Sequence, residues 1–426
     1  TGGSADKNEV KLTNLKAISG VLVGGAALGT GSTSGNTVDV SSEDGTLAVT
    51  GPITGGRADE GSAEKNAVKL TNLKTGGAVR GGHAAKGAAE KADATGNKVE
   101  IAGGTFGVVT GGTTDTGDAS ENTVTLKGAA TGAVTGGDVT VSGSAKENTV
   151  TVDGGKVVSV TGGSARAADG DAAKNTVTLT NQVDVTDSVL GGEAPAGKAE
   201  ENKVEITGGK IGGSVVAGLT TNGDATGNEV TLRQVEVNGV PAPGSPAGVA
   251  GGVASVSGNA NSNTVTIEGN ETGTKRIVKG DVAGGSTASG DASGNVVSLK
   301  DIEVQHAVYG GQGTGKTSDN IVRLNGVTVG GTVYGGTGAA ESLNNTLEIY
   351  GKASTIGDFS GVQNLHFYVD SDRVNDQTAL LTLTSSGAKD IKGLGLGVKL
   401  SGDAKILHTG DQMTLDGPQR KGDLRR

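Results

Sequence analysis

Cysteine and tryptophan are absent from the 426-residue sequence, which holds one methionine, six prolines and seven aromatic residues. Without cysteine there is no disulfide framework and no thiolate metal site. With so few large side chains and only 33% hydrophobic residues, a single thick core is excluded. Too little apolar bulk is present to offset the conformational entropy of ordering so long a chain. No apolar run approaches the roughly 20 residues of a helical membrane span. The formal charge of −10 is spread thinly, so no basic field favours nucleic acid or an anionic lipid surface. Only the final stretch, Arg420 to Arg426, is locally basic, and it is expected to be a loose end.

Glycine, by contrast, is abundant at 79 residues. Such a chain is either disordered or built as a thin core repeated along an axis, and only the second predicts periodic placement of Val, Ile and Leu. The placement is periodic. The pattern N-x-[VL]-x-[LIV] recurs thirteen times, led by Asn8, Asn36, Asn66, Asn97, Asn122, Asn148, Asn175, Asn202, Asn228, Asn263, Asn295, Asn320 and Asn345, with a mean spacing near 28 residues. Between copies lies a β-branched residue followed by x-Gly-Gly, as at Val79, Val109, Val134, Val160, Val189, Val249, Val282, Val308 and Val333.

In N-x-V-x-L the apolar pair points to one face of a strand and the x residues to the other. Of the 26 outward positions, 11 are Thr and 11 are charged, which fits a half-buried strand with a solvated face. The Gly-Gly pair is expected to end a second, shorter strand at a corner. A unit of two or three short strands cannot bury its inner face alone and must stack on its copies. The expectation is therefore an all-β chain, a right-handed parallel β-helix (β-solenoid) of about thirteen repeats, rising about 4.8 Å per coil. The thirteen asparagines are expected to form a structural ladder, each amide bonding the next coil.

The repeat ends after Asn345. Six of the seven aromatics, Tyr309, Tyr334, Tyr350, Phe359, Phe367 and Tyr368, lie between 309 and 368, and the chain then continues as short apolar runs such as "VQNLHFYV", "TALLTLTSS", "LGVKLSG" and "MTL". The expected division is a repetitive solenoid over 1–350 and a strand-rich C-terminal β cap or junction over 351–426, covering the open end of the last coil.

One stretch, "YGGQGTGKTS" from Tyr309 to Ser318, matches the phosphate-binding pattern G-x-x-x-x-G-K-[ST], in which Lys316 would reach phosphates and Thr317 a magnesium ion. That chemistry needs a helix directly afterwards, whereas Asn320, Val322 and Leu324 alternate as a strand. Nucleotide binding is not expected. The aspartates of the "GDA" corners, Asp118, Asp171, Asp224 and Asp291, are expected to be solvated loop residues. The four histidines, His83, His306, His366 and His408, are too far apart in sequence to make a local metal motif, and only His306 falls in a repeat strand pattern. A calcium-binding repeat has a period of nine, not 28. The tripeptide Lys279-Gly-Asp281 is short enough to arise by chance. No catalytic, cofactor-binding or metal-ligating residue is expected, and neither a cofactor nor a nucleic acid partner.

The segments "GDATGNEVTL" at Gly223, "GDASGNVVSL" at Gly290 and "VYGGTGAAESLNNTLEI" at Val333 resemble the tandem units in passenger regions of bacterial autotransporters, the type V secretion proteins. The stretch from Val362 is similar to the segment that joins such passengers to their translocating barrel. The resemblance implies export, passage through a C-terminal outer-membrane β-barrel absent from this chain, and display or release at the surface of a Gram-negative-type bacterium. It also implies a structural or adhesive role toward an unknown ligand on host or bacterial cells. The chain opens within a repeat, on Thr1-Gly-Gly3, and a fragment of a longer protein is expected. The alternative is a secreted β-helix enzyme acting on polysaccharide or protein, which would need clustered charged groups on one strand face.

Overall fold

The computed structural model describes residues 2–85, 91–166, 169–239, 248–271, 273, 275–338, 342–370, 378–386 and 389–401. These are strands and turns with no helix among the described residues, stacked as a parallel β-solenoid of about 14 turns. The basic terminal stretch, His408 and the "MTL" run lie outside the described residues. Contacts group the chain into two compact units, Thr1–Glu229 and Val230–Arg426.

The coil that begins at Asn175 shows the plan of the first unit. It has an Asn-led strand (Thr176–Thr180), a short strand (Asp184–Val185), a Gly-Gly strand (Val189–Ala194) and a two-residue corner strand (Ala199–Glu200). Each pairs in parallel with its counterparts one coil away: Val177 lies opposite Val150 and Val204, and Leu179 opposite Val152 and Ile206. The corner strands form their own nine-stranded sheet, from Ala5–Asp6 to Ala225–Thr226.

Repetition makes the thin core sufficient. Val177, Leu179, Val183, Val185, Val189, Ala194 and Ala199 are all fully buried in that one coil, and each larger aliphatic side chain contributes roughly 1.5–3 kcal/mol. At the corner strand the buried residues are small, and Ala63, Ala84, Ala92 and Ala94 pack together, as do Ala119, Val139, Ala145 and Ala165.

In the second unit the Asn-led strands Thr264–Glu268, Val296–Lys300, Ile321–Asn325 and Thr346–Tyr350 pair in sequence. The Asn and Gly-Gly frame stops there, but the stack does not. Thr346–Tyr350 pairs in parallel with Asn364–Asp370, which pairs with Gly395–Ser401. Leu365 and Phe367 take the inward positions of Val and Leu and are buried.

The Gly-Gly pair is not a corner. Gly81 and Gly82 lie inside the strand Val79–Ala84, and neither has positive φ. The left-handed corner falls elsewhere: the residue before the ladder Asn has φ between 52° and 68° in all thirteen copies. Nine of these residues are not glycine, among them Lys65, Glu121, Glu147, Lys174 and Glu201, and each carries a conformational cost of about 1–2 kcal/mol.

Candidate functional site

The thirteen asparagines are brought together in columns, nine in the first unit and four in the second. All but Asn8 are buried. Within each run, Asn8 to Asn228 and Asn263 to Asn345, every amide but the last donates from Nδ2 to the Oδ1 of the Asn in the next coil at 2.7–3.2 Å. It donates as well to the corner carbonyl of the previous coil, as Asn148 does to Ala119 O at 2.8 Å and Asn320 to Ala292 O at 3.0 Å. Its own Oδ1 accepts from the backbone N–H and Nδ2 of the preceding Asn, so the amide is saturated. This saturation holds the strained residue before it in place.

The ladder needs the Gly-Gly pair as a floor. A Cβ on Gly137 would lie 2.5–2.7 Å from the Nδ2, Oδ1 and Cγ of Asn148, and the second glycine of every pair in the first unit faces an Asn in the same way. A Cβ on the first glycine, such as Gly136, would collide with the backbone carbonyl of the next coil at Gly162.

Gln363 was invisible to the N-x-V-x-L pattern. The N–H of Asn345 donates to Gln363 Oε1 at 2.9 Å, so Gln363 acts as the next rung. The signal lay in its spacing, since Gln363, Leu365 and Phe367 repeat the Asn, Val, Leu frame with larger residues.

The "GDA" aspartates are not free loop residues. Asp118 Oδ1 accepts from Ser144 N at 2.8 Å, Asp171 Oδ1 from Lys198 N at 2.9 Å and Asp291 Oδ1 from Lys316 N at 2.7 Å. Each carboxylate caps a backbone N–H at the equivalent position of the next coil. Ser62 and Ser144 hydroxyls do the same for Asp93 N and Asp171 N. This second ladder escaped sequence reasoning because its positions are shared irregularly between Ser and Asp.

The phosphate-loop match is one more coil. Gly310 and Gly311 lie in the strand Val308–Gln312, and Gly311 pairs with Gly285 and Gly336. Thr317 is buried, its hydroxyl 2.7 Å from Ser342 Oγ and its carbonyl accepting from Asn345 Nδ2 at 2.7 Å. A strand, Ile321–Asn325, follows where a phosphate loop has a helix. Among the histidines, His306 falls in an exposed turn, not a strand, whereas His83 and His366 sit in the strands Val79–Ala84 and Asn364–Asp370. Lys279 and Gly280 precede the strand Asp281–Thr287. Among the described residues no three His, Asp or Glu are placed to hold a metal ion.

The outer faces carry the remaining chemistry. In the first unit the residues after Gly-Gly align as Arg57, His83, Thr113 and Asp138 on successive coils. Burial above all, and then the cations Arg80 and Arg57, hold the His83 imidazole below its ordinary value. Burial raises the Asp138 carboxyl, against the pull of Arg166 at 3.5 Å and of Arg80. Exposed pairs such as Lys203 with Glu205, at 2.8 Å, add little stability.

In the second unit the outward column runs Thr266, Ser298, Arg323, Glu348 and His366. Glu348, whose side chain is only 10% exposed, accepts from Arg323 Nε at 2.7 Å. It accepts too from the phenols of Tyr350 at 3.0 Å and Tyr368 at 3.2 Å. The rings of Tyr350 and Tyr368 stack with centroids 4.3 Å apart, and those of Tyr309 and Tyr334 stack at 4.9 Å. Burial first, and then the bond to Glu348, pushes the Tyr350 phenol up to about 12.

With this geometry, the class of protein is a parallel β-solenoid with an internal asparagine ladder. No family model, no curated protein and no solved structure matches the chain.

Proposed function

We propose that the chain is a passenger of the autotransporter type, displayed at or released from a bacterial surface, where it serves as a structural and adhesive scaffold. The observation that carries this reading is the in-register stacking. Coil after coil adds a buried, hydrogen-bonded amide to the inside, and 22 of the 26 outward positions of the repeat add a Thr or charged side chain to the outside. A stack of this kind holds a large polar surface rigid at little cost in apolar bulk. The repeat resemblance supplies the cell-surface setting, and the step from fold to adhesion is analogy.

The test is direct. Beads coated with the purified chain are incubated with panels of host and bacterial cells, and cells producing the full-length protein are treated with protease while intact. Saturable retention that free chain competes away, together with surface cleavage, is the expected result. Beads that retain no cell type, or a chain protected until the cells are lysed, refute the proposal.

A further inference from the structure

We propose that Tyr350 and Tyr368 form a site of oxidative cross-linking, where a haem peroxidase with hydrogen peroxide joins the two rings as dityrosine and ties the coil of Asn345 to the next. The inference stands apart from the adhesive reading and does not rest on it.

All four tyrosines of the chain lie in two in-register stacks of the second unit, Tyr309 on Tyr334 and Tyr350 on Tyr368. The Tyr350 and Tyr368 rings are 5° from parallel, with centroids 4.3 Å apart. In such a stack the ortho carbons of one ring face those of the other, and both residues are half-exposed, so a tilt of the rings closes them on each other. The outer face of Tyr368 is covered by Lys399 Nζ, 5.7 Å from the centroid. Among the described residues Tyr350 is the one ring stacked on it.

What sets this pair apart is the carboxylate between its phenols. Tyr350 donates to Glu348 at 3.0 Å and Tyr368 donates to it at 3.2 Å. Burial first, and then that bond, pushes the Tyr350 phenol up to about 12, so the electron has to leave a neutral phenol. A phenol that has lost an electron is a far stronger acid than a carboxylic acid, and Glu348 takes its proton along the existing bond even with Arg323 at 2.7 Å. Each ring is left as a neutral radical. The two radicals join through one C–C bond between ortho carbons, and the displaced ortho hydrogens move to the oxygens and restore both phenols. In sum two electrons and two protons leave the protein, and one peroxide takes them up to become two waters. Holding the rings against each other makes the coupling an intramolecular step that outpaces coupling between chains. In a chain without cysteine the new bond constrains two coils as a disulfide would, at the joint where the asparagine rungs give way to Gln363.

Tyr309 and Tyr334 are the built-in comparison. Their rings stack at 4.9 Å and 4°, but neither phenol is bonded to a carboxylate among the described residues.

The purified chain is treated with hydrogen peroxide and a haem peroxidase and followed by dityrosine fluorescence, gel filtration and peptide mass spectrometry. We expect a monomeric product two hydrogens lighter, a raised urea midpoint, and Tyr350 joined to Tyr368 at least about five-fold faster than Tyr309 to Tyr334. Tyr350→Phe and Tyr368→Phe should each remove that cross-link. Glu348→Gln should slow it about ten-fold or more and leave the Tyr309 to Tyr334 rate unchanged, which also reports that the coils remain stacked. The ratio of the two rates in the parent needs no variant and decides the matter should Glu348→Gln fail to fold. No dityrosine, a product that is mainly dimer, equal rates for the two stacks, or an unchanged rate in folded Glu348→Gln overturns the proposal.

Discussion

Replacing Asn148 by alanine tests the ladder where it is most enclosed. The side chain makes four bonds: Nδ2 to Ala119 O and to Asn175 Oδ1, and Oδ1 from both the N–H and the Nδ2 of Asn122. At about 1 kcal/mol net per bond, truncation removes about 4 kcal/mol, and the stranded Asn122 N–H and Ala119 carbonyl raise the loss to about 4–6 kcal/mol. A loss of that size in a stacked array shows itself as local opening around the affected coil. The diagnostic is a double-mutant cycle with Gly137→Ala. Alone, that methyl meets the Asn148 amide at 2.5–2.7 Å and destabilises the coil. With Asn148 truncated the three clashing atoms are gone and the methyl fills the space they leave. The double mutant should therefore be more stable than the sum of the two single losses by about 1–2 kcal/mol or more. Gly136→Ala is the control, because its methyl is blocked by the Gly162 carbonyl whether or not the amide is present. Urea unfolding followed by circular dichroism gives the energies, and amide hydrogen exchange gives their location. Additivity of Gly137→Ala and Asn148→Ala within about 0.5 kcal/mol refutes the reading of the Gly-Gly pair as the floor of the ladder.

Three further outcomes follow from the other features. Gly227, at φ 67° before Asn228, should lose about 1–2 kcal/mol on replacement by valine, whereas Glu121→Gly should be neutral or mildly stabilising, since relief of strain is offset by unfolded-chain entropy. A Gly227→Val variant that melts like the parent counts against the left-handed corner. Asp118→Ala should cost about 1 kcal/mol and speed exchange of the Ser144 amide, while Asp118→Asn keeps the acceptor and most of the protection. Equal exchange in all three proteins contradicts the second ladder. The His83 imidazole, lowered by burial and by Arg80 and Arg57, binds fewer protons folded than unfolded. Its contribution is complete above about pH 6.5 and is lost as pH falls through its lowered folded value, so the urea midpoint should drop on acidification from about pH 7.5 and drop less in His83→Gln. Asp138, raised by burial, acts with the opposite sign in the carboxylate range, where its protonated form favours the folded state and that advantage is lost as pH rises. Identical slopes for His83→Gln and the parent contradict the assignment.

The strands were legible because N-x-V-x-L combines a period of two with a marker at a fixed place, so direction, inward face and register could be taken from any copy. The corner was not. Lys65, Glu121 and Lys174 adopt left-handed φ although nothing in their chemistry signals a turn, since it is the locked Asn after each that imposes the conformation. The Gly-Gly pair does signal a turn, and here its meaning is steric: the pair faces an amide that arrives from 11 residues further along the chain, as Gly137 faces Asn148. Gln363 was hidden by two simultaneous substitutions, Gln for Asn and Phe for Leu. The cluster around Glu348 could not be foreseen either. Its groups come from coils 25 residues apart, as Arg323 and Glu348 do, and meet only once the register is known.

The ladder accounts for the false motif as well. Each coil must supply a Gly-Gly floor, a corner that reaches round to the next rung, and a backbone cap just before it. In the coil from Val308 these requirements are met by Gly310 and Gly311, by the turn through Thr314 and Gly315, and by Lys316, whose N–H is capped by Asp291. Thr317 then lends its carbonyl to Asn345. The matching residues are thus used by backbone groups and by the hydroxyl of Thr317, and the exposed Lys316 side chain that would define the motif makes no ion pair among the described residues. A sequence under this constraint will generate glycine-rich phosphate-loop look-alikes by composition alone. The deciding feature is the element that follows: an amide ladder requires the next residues to be extended, and a phosphate cradle requires them to be helical.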